Sequence, residues 1–192
     1  MNIIYMVIFL KFCHLGKINI EKLRKKHLLK FLEKKSVMKI KKVSPKDLTA
    51  ISNLEHEVFT EDAFSKEVLE KLIHQNTMFY KLEKTGIKKI LVGFVIVVKD
   101  LKDGDLNIIN FVINPKYQNK GYGSLLLKYT IKRIKKTEEN IKKIILNVKT
   151  NNSDAIKLYE KFNFRKIKRI ENYYKSKESA YLMEKEIEDN NN

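Results

Sequence analysis

The sequence predicts an α/β domain, with about seven strands and about four helices making one flanked sheet from Met38 onward. Three observations predict it. Beyond Met38, short apolar segments alternate with segments of helical period, and turn residues separate them. Two of the short segments, Leu91–Val98 and Leu106–Ile113, carry apolar residues at both odd and even positions, as strands covered on both faces do. The second of these runs through a proline turn and two glycines straight into an apolar helix, so Asn107–Ser124 reads as strand, turn and helix start.

Met38–Val43 is a natural first strand. Ser44, Pro45 and Asp47 then supply an N-cap, a proline at N1 and an acid at N3. The helix they open carries Leu48, Ile51, Leu54, Glu55 and Val58. A loop, Phe59–Ser65, leads to a second helix with Val68, Leu69, Leu72 and Ile73. Thr77–Glu83 and Ile90–Val98 are the next strands, and the latter is expected to be central. A turn at Lys102–Asp105 precedes the organising strand, whose ladder should stop where Pro115 removes a donor and holds Asn114 extended. The helix over 121–136 sets Tyr122, Leu125, Leu126 and Tyr129 along one face. Ile141–Val148 is a buried strand, and the helix over 153–162 places Ala155, Leu158, Tyr159 and Phe162 at i, i+3, i+4 and i+7. Arg165–Ile170 and Ser179–Ile187 close the sheet as an antiparallel pair.

Residues 1–37 stand apart. Ile3–Leu10 is apolar but too short to span a bilayer, and neither a basic n-region nor a clear small-residue cleavage site flanks it. Ile18–Lys35 reads as a basic helix with Ile20, Leu23, His27, Leu28, Phe31 and Leu32 at helical spacing. Residues 1–37 are therefore expected to be an extension to a domain at 38–189, either upstream sequence before a start at Met38 or a targeting or membrane-surface segment. The expected location is cytoplasmic, with no membrane span.

At 192 residues with 43% hydrophobic content, one domain with a real core is expected. The single Cys13 excludes a disulfide framework within the chain, and His14, His27, His56 and His74 show no ligand spacing, so no metal site is expected. The net charge of +17 invites a nucleic-acid reading. Against it, 36 of the 40 cations are lysine and they are scattered along the chain, whereas planar recognition of bases favours arginine. No specific nucleic-acid partner is expected.

The chemistry sits in two motifs. Gln118-Asn119-Lys120-Gly121-Tyr122-Gly123 opens a helix, where backbone N–H groups and the helix dipole favour a phosphate and Lys120 adds a mobile positive charge. A dinucleotide-binding loop would need a third glycine where Leu126 stands, and a Walker loop needs a Gly-Lys-Ser/Thr that is absent. Asn152, Ala155 and Tyr159 form the second motif, which by itself reads as an N-cap and an amphipathic helix with a core tyrosine.

In this order the two motifs resemble the Q/R-x-x-G-x-G/A and N-x-x-A-x-x-x-Y patterns of the GNAT superfamily of N-acetyltransferases, across essentially all of residues 38–187. Three further segments are similar to the ribosomal-protein alanine N-acetyltransferases and other N-terminal acetyltransferases. They are Phe59–Ser65, Ile109–Pro115, and Asn172-Tyr173-Tyr174 followed by Glu178–Met183. The resemblance implies the GNAT fold, with a mixed, mostly antiparallel sheet splayed near Phe111–Ile113 and Leu146–Val148. It implies acetyl-CoA as acetyl donor, held by Phe111, Val112, Ile113, Gln118, Asn119, Lys120, Gly121, Tyr122, Gly123, Ser124, Asn152 and Tyr159. It implies that the Tyr159 hydroxyl protonates the departing thiolate, and that Phe59, Asn147, Tyr173 and Tyr174 meet the acceptor. The expected activity is acetylation of a protein N-terminal α-amine, ribosomal proteins included. The alternatives are a GNAT enzyme for small amines and a catalytically weak acetyl-CoA-binding subunit of a complex.

Two departures bear on this. Asn163 replaces the glycine usual after the last helix, and asparagine tolerates the left-handed turn needed there. Asn147 stands where bacterial alanine acetyltransferases carry a glutamate base, and an amide cannot take the amine proton. An α-amine with a pKa of about 7.7–8.0 is already roughly a quarter neutral near pH 7.4, against about 0.1% for a lysine amine, so N-terminal acetylation suffers least from that loss. Glu61, in the loop between the first two helices, is the substitute base that the resemblance offers.

Overall fold

The computed structural model describes residues 36–187, apart from 76, 87, 101–103, 139 and 140. The expected extension lies, up to residue 35, outside the described residues. Seven strands form one sheet in the order β1-β2-β3-β4-β5-β7-β6. They are β1 (Val37–Lys42), β2 (Met78–Thr85), β3 (Ile90–Lys99), β4 (Leu106–Ile113), β5 (Lys143–Lys149), β6 (Arg165–Ile170) and β7 (Ala180–Glu186). Four α-helices flank it: α1 (Leu48–Phe59), α2 (Lys66–His74), α3 (Tyr122–Thr137) and α4 (Ser153–Lys161). The pairing β4–β5 is parallel, while β2–β3, β3–β4, β5–β7 and β6–β7 are antiparallel. The mixed, mostly antiparallel sheet expected from the sequence is what forms, and β3 is central with residues 92–97 all buried.

Each face of the sheet has its own core. Ile51, Leu54 and Leu69 of α1 and α2 pack with Phe79, Phe94, Ile96 and Val112 on one face. Leu126, Leu127 and Ile134 of α3 and Ile156 and Tyr159 of α4 pack with Ile108, Ile144, Leu146 and Met183 on the other. The local signals act as read. Ser44 and Asp47 cap a 3-10 turn that leads into α1, with the Ser44 N–H and hydroxyl each 2.9 Å from Asp47 Oδ2. Asn163 takes φ 65 after α4, and the Phe164 N–H then donates to the Tyr159 carbonyl at 3.1 Å.

One irregularity positions everything that follows. In the β3–β4 ladder Ile96 faces Asn110 and Val97 faces Ile108, so Ile109 is an extra, bulged residue. The bulge reverses the alternation of side chains along β4. Leu106 and Ile108 point toward α3 and α4, and beyond the bulge Phe111 and Ile113 take over that face. Ile109 and Val112 turn to the α1–α2 face.

Candidate active site

The strands β4 and β5 pair only from Leu106–Ile144 to Ile108–Leu146, although β4 runs on to Ile113 and β5 to Lys149. Past the bulge the two strands part, because each follows its other neighbour. The far end of β4 stays with β3, where Gly93 faces Ile113. A Cβ at Gly93 would lie 2.3 Å from the Val112 carbonyl oxygen, so only glycine allows that approach. β5 stays with β7 over its whole length. The resulting gap has Phe111 and Ile113 on one side and Asn147–Lys149 on the other. It is the splay expected from the sequence, and it leaves the backbone edges of β4 and β5 without each other beyond Ile108 and Leu146.

At the end of β4 the chain turns sharply. The Asn114 side chain accepts from the Lys116 N–H at 3.0 Å and opens a 3-10 turn, Pro115–Tyr117. Gln118 Nε2 donates to the Ile113 carbonyl at 3.0 Å. Lys120 Nζ donates to the Lys116 carbonyl at 2.7 Å and lies 5.5 Å from the Tyr117 ring centroid. Asn119 at φ 57 and Gly121 at φ 80 bring the chain into α3. No side chain caps α3 and no acid stands in its first turn, so the N–H groups at the start of a sixteen-residue helix stay available. That donor set fits a diphosphate. The two glycines have different reasons. Gly121 holds a left-handed conformation with open space where a Cβ would be, whereas a Cβ on Gly123 would lie 3.1 Å from Leu158 Cδ2. Gly123 thus lets α3 and α4 close up, a packing role beside the cofactor role expected of it.

Across the gap stands Tyr159. It is buried, with its ring edge-on to Phe111 at 6.1 Å and to Phe164 at 5.8 Å. Burial, and then the nearby Tyr174 phenol, hold its hydroxyl well above the usual phenol range, so it keeps its proton at any working pH. Asn152 caps α4 by accepting from the Ala155 N–H at 3.1 Å, which leaves its amide NH₂ as a donor.

The mouth of the gap is built from three separated segments. Asp62, in the 3-10 turn Thr60–Asp62 after α1, lies 2.8 Å from Lys149 Nζ at the end of β5. The Ser176 N–H and hydroxyl donate to Asp62 at 3.1 and 2.8 Å. Lys149 also pairs with Glu178, which takes a further bond from Asn151 at 2.7 Å. Burial alone would raise the Asp62 carboxyl, but the bonds from Lys149 and Ser176 hold it at about 2. Lys149, Asn151 and Ser176 likewise hold Glu178 below its usual range. Both acids are therefore ionised and already engaged by a lysine. Glu61 beside them is exposed and makes no ion pair among the described residues. Thr60, at φ 49, bears a strain unusual for a β-branched residue.

The turn is fixed to the sheet from behind. Glu55 of α1 is buried and accepts from the Phe64 N–H at 3.0 Å and from Asn110 Nδ2 at 2.8 and 2.9 Å. Burial raises its carboxyl. Phe59 and Phe64, at either end of the turn, pack against the α1–α2 core. On the opposite lip Tyr173 and Tyr174 meet edge to face at 5.0 Å, and Tyr173 is 46% exposed. Asn147 Nδ2 donates to the Tyr173 hydroxyl at 2.9 Å, while its buried Oδ1 has no partner among the described residues.

The structure thus brings Phe111, Ile113, Asn147, Tyr159, Tyr173 and Tyr174 around one gap, with the 118–124 turn at its end. Val112 contributes backbone only, since its side chain lies in the α1–α2 core. Asp62, Lys149, Ser176 and Glu178 were missed as a group. Asp62 and Glu178 lie within the motif segments, and Lys149 is two residues beyond Asn147, but nothing in the sequence shows that they meet. Among the described residues no group of His, Cys, Asp or Glu could hold a metal ion.

The model of the acetyltransferase (GNAT) family matches residues 46–164. No curated protein matches the chain. Among solved structures, the chain is similar to the ribosomal-protein-S18-alanine N-acetyltransferase from Escherichia coli, at 24% identity over 81% of this chain and 99% of that one, with a TM-score of 0.68. It is similar to Naa50 from Arabidopsis thaliana in complex with the bisubstrate analogue CoA-Ac-MVNAL, at 25% identity over 78% and 99%, TM-score 0.64. It is also similar to the spermidine N-acetyltransferase from Vibrio cholerae in complex with CoA and spermine, at 22% identity over 78% and 95%, TM-score 0.65.

Proposed function

The chain belongs to the acetyltransferase (GNAT) family and is an acetyl-CoA-dependent N-acetyltransferase, and from that premise we propose that its acceptor is the N-terminal α-amine of a protein. One observation carries this reading. The position on β5 that would face the acceptor is Asn147, whose buried Oδ1 has no partner among the described residues, while Asp62 and Glu178 at the mouth are tied to Lys149 and the one remaining acid there, Glu61, is solvated. Such a site can orient an amine but removes a proton poorly, so it favours an amine that arrives neutral.

Acetyl-CoA supplies the thioester. The N–H groups from Gly121 to Ser124 would hold its pyrophosphate, with Gln118, Asn119 and Lys120 around them, and the open edge of β4 along Phe111–Ile113 would take its pantetheine amides, joined by the Asn152 amide. Asn147 Oδ1 accepts a hydrogen from the incoming amine, and Tyr173 fixes the orientation of that amide. Tyr173, Tyr174 and Phe59 line the path of the peptide. The amine nitrogen bonds to the acetyl carbon, the carbon–sulfur bond breaks, and the Tyr159 hydroxyl gives its proton to the sulfur. The proton lost by the nitrogen passes to Glu61 or to solvent at the exposed mouth.

The test compares three acceptors: peptides with a free N-terminus, N-terminally blocked peptides with one lysine, and spermidine. From the neutral fractions, kcat/KM for the free α-amine should exceed that for the lysine peptide by about 10²-fold near pH 7.4. Faster turnover of spermidine would refute the reading and favour a second one, a small polycation as acceptor. The acid-rich segment 47–74, with seven acids against two lysines, gives that second reading its footing.

A further inference from the structure

The fold sorts charge by layer. Residues 47–74, which supply α1, α2 and the turns leading into them, hold seven acids and two lysines. On the other face, α3 carries five lysine or arginine residues and no acid. Of the four cations of the edge strand β6, Lys166 and Arg169 share that face, opposite Met183 and Tyr181, and both are ion-paired. Lys128, Lys135 and Lys161 are exposed, and none makes an ion pair among the described residues. Unbalanced like charge opposes compaction, so a layer that keeps it is suited to a polyanion.

That layer contains a cleft of about 260 Å³. Lys128, Ile131 and Lys135 of α3, Lys161 and Phe162 at the end of α4, and Lys185 of β7 line it. Lys128 and Lys135 are seven and fourteen residues past Gly121, about 10 and 20 Å along the helix, so the cleft lies beyond the 118–124 turn. Phe162 is only partly buried and forms an aromatic floor. Cations that track a phosphate backbone and an aromatic ring on which a base stacks are the two parts of a single-strand site. A planar membrane surface could not reach into such a concavity as an unstacked base can.

We propose that the face formed by α3 and the end of α4 binds single-stranded nucleic acid, without reading its sequence, apart from the acetyl-transfer site. The test is fluorescence anisotropy of the full chain with labelled oligo(U) and oligo(dT) over a KCl series. With about four phosphates neutralised, affinity should fall about 50-fold between 50 and 200 mM salt. The variant Lys128→Glu/Lys135→Glu/Lys161→Glu should lose about tenfold or more, whereas Lys46→Glu/Lys66→Glu/Lys71→Glu, with the same charge change on the acidic layer, should stay within about twofold. Equal losses in the two variants would show bulk charge alone and overturn the proposal. So would displacement of the oligonucleotide by equimolar acetyl-CoA, or capture by anionic vesicles without oligonucleotide binding. Phe162→Leu keeps an apolar packer but removes the ring, and should weaken binding about fivefold. Unchanged affinity in that variant, or duplex binding as tight as single-strand binding, would overturn the stacking contact. Matching affinities for oligo(U) and oligo(dT) support recognition of phosphate and base face, and a large preference for oligo(U) supports added contact with the 2′-hydroxyl.

Discussion

In the proposed reaction Tyr159 and Glu61 would divide the proton chemistry between a buried phenol and an exposed carboxylate. Burial keeps Tyr159 protonated, so its hydroxyl would stand as a hydrogen-bond and proton donor to the departing thiolate. Tyr159→Phe preserves the ring contacts with Phe111 and Phe164 and should lower turnover by about 10²–10⁴-fold, with acetyl-CoA affinity unchanged by calorimetry. Full turnover would reduce Tyr159 to a core residue. If Glu61 takes the amine proton, Glu61→Gln should lower turnover strongly at pH 7 and less at pH 9, where an α-amine is already neutral. Should Asn147→Ala show that pattern and Glu61→Gln be silent, the proton leaves through water held at Asn147. Asp62 makes a separate prediction. Its folded pKa of about 2 lies below the ordinary aspartate value of 3.8, so it stabilises the fold above about pH 4 and loses that contribution as pH falls through 2. Asp62→Asn should therefore melt lower than the parent at pH 7, by a margin that narrows toward pH 2.

At the scale of elements, the β4 bulge and the α3 start do the positioning. The bulge turns Phe111 and Ile113 toward Tyr159, and Gly93 lets β4 leave β5. Gly123→Ala sets a methyl 3.1 Å from Leu158 Cδ2, and this overpacking opposes the roughly 1 kcal/mol that alanine gains over glycine in a helix, so the substitution should be more favourable in a Leu158→Ala background than in the parent. Urea melts of the four proteins in that cycle measure the coupling, and additive effects would remove Leu158 as the cause. Gly121→Ala acts otherwise, because no neighbour is met and only the left-handed φ of 80 is penalised, so no background substitution should rescue it. Val37 opens β1, and we propose that the residues up to it contribute nothing to acetyl-CoA binding. A chain begun at Met38 should bind acetyl-CoA as the full chain does, and a tenfold or greater loss of affinity, about 1.4 kcal/mol, would count against that.

For the molecule as a whole, polarity follows the two substrates. The acidic α1–α2 side contributes Glu61 and Asp62 to the mouth proposed for the acceptor amine, and the basic α3 side contributes the turn that meets an anionic coenzyme. Opposite fields on the two faces would steer each substrate to its own entrance, with rates that fall as salt screens them. Among the described residues no helix is long and apolar enough to cross a membrane.

The strands, helices and caps were legible because each is set by local chemistry. The period of apolar residues, Pro115 after the strand and Asn163 in a left-handed turn act over a few residues, and the elements fall within one or two residues of their expected places. The two motifs were legible for the same reason, since Gln118–Gly123 and Asn152–Tyr159 are each contiguous. What depended on distant parts of the chain was not. The link from Asp62 to Ser176 spans 114 residues, and that from Glu55 to Asn110 spans 55. The bulge at Ile109 cannot be read from β4 alone, because a two-to-one register exists only against β3. Charge tells the same story. Lysines spread evenly through a sequence carry no direction until the topology places α3 on one face of the sheet and α1 and α2 on the other. Local preferences therefore determined the elements and their order, and only the closed sheet decided which acids are neutralised, which glycine packs and which side of the protein is positive.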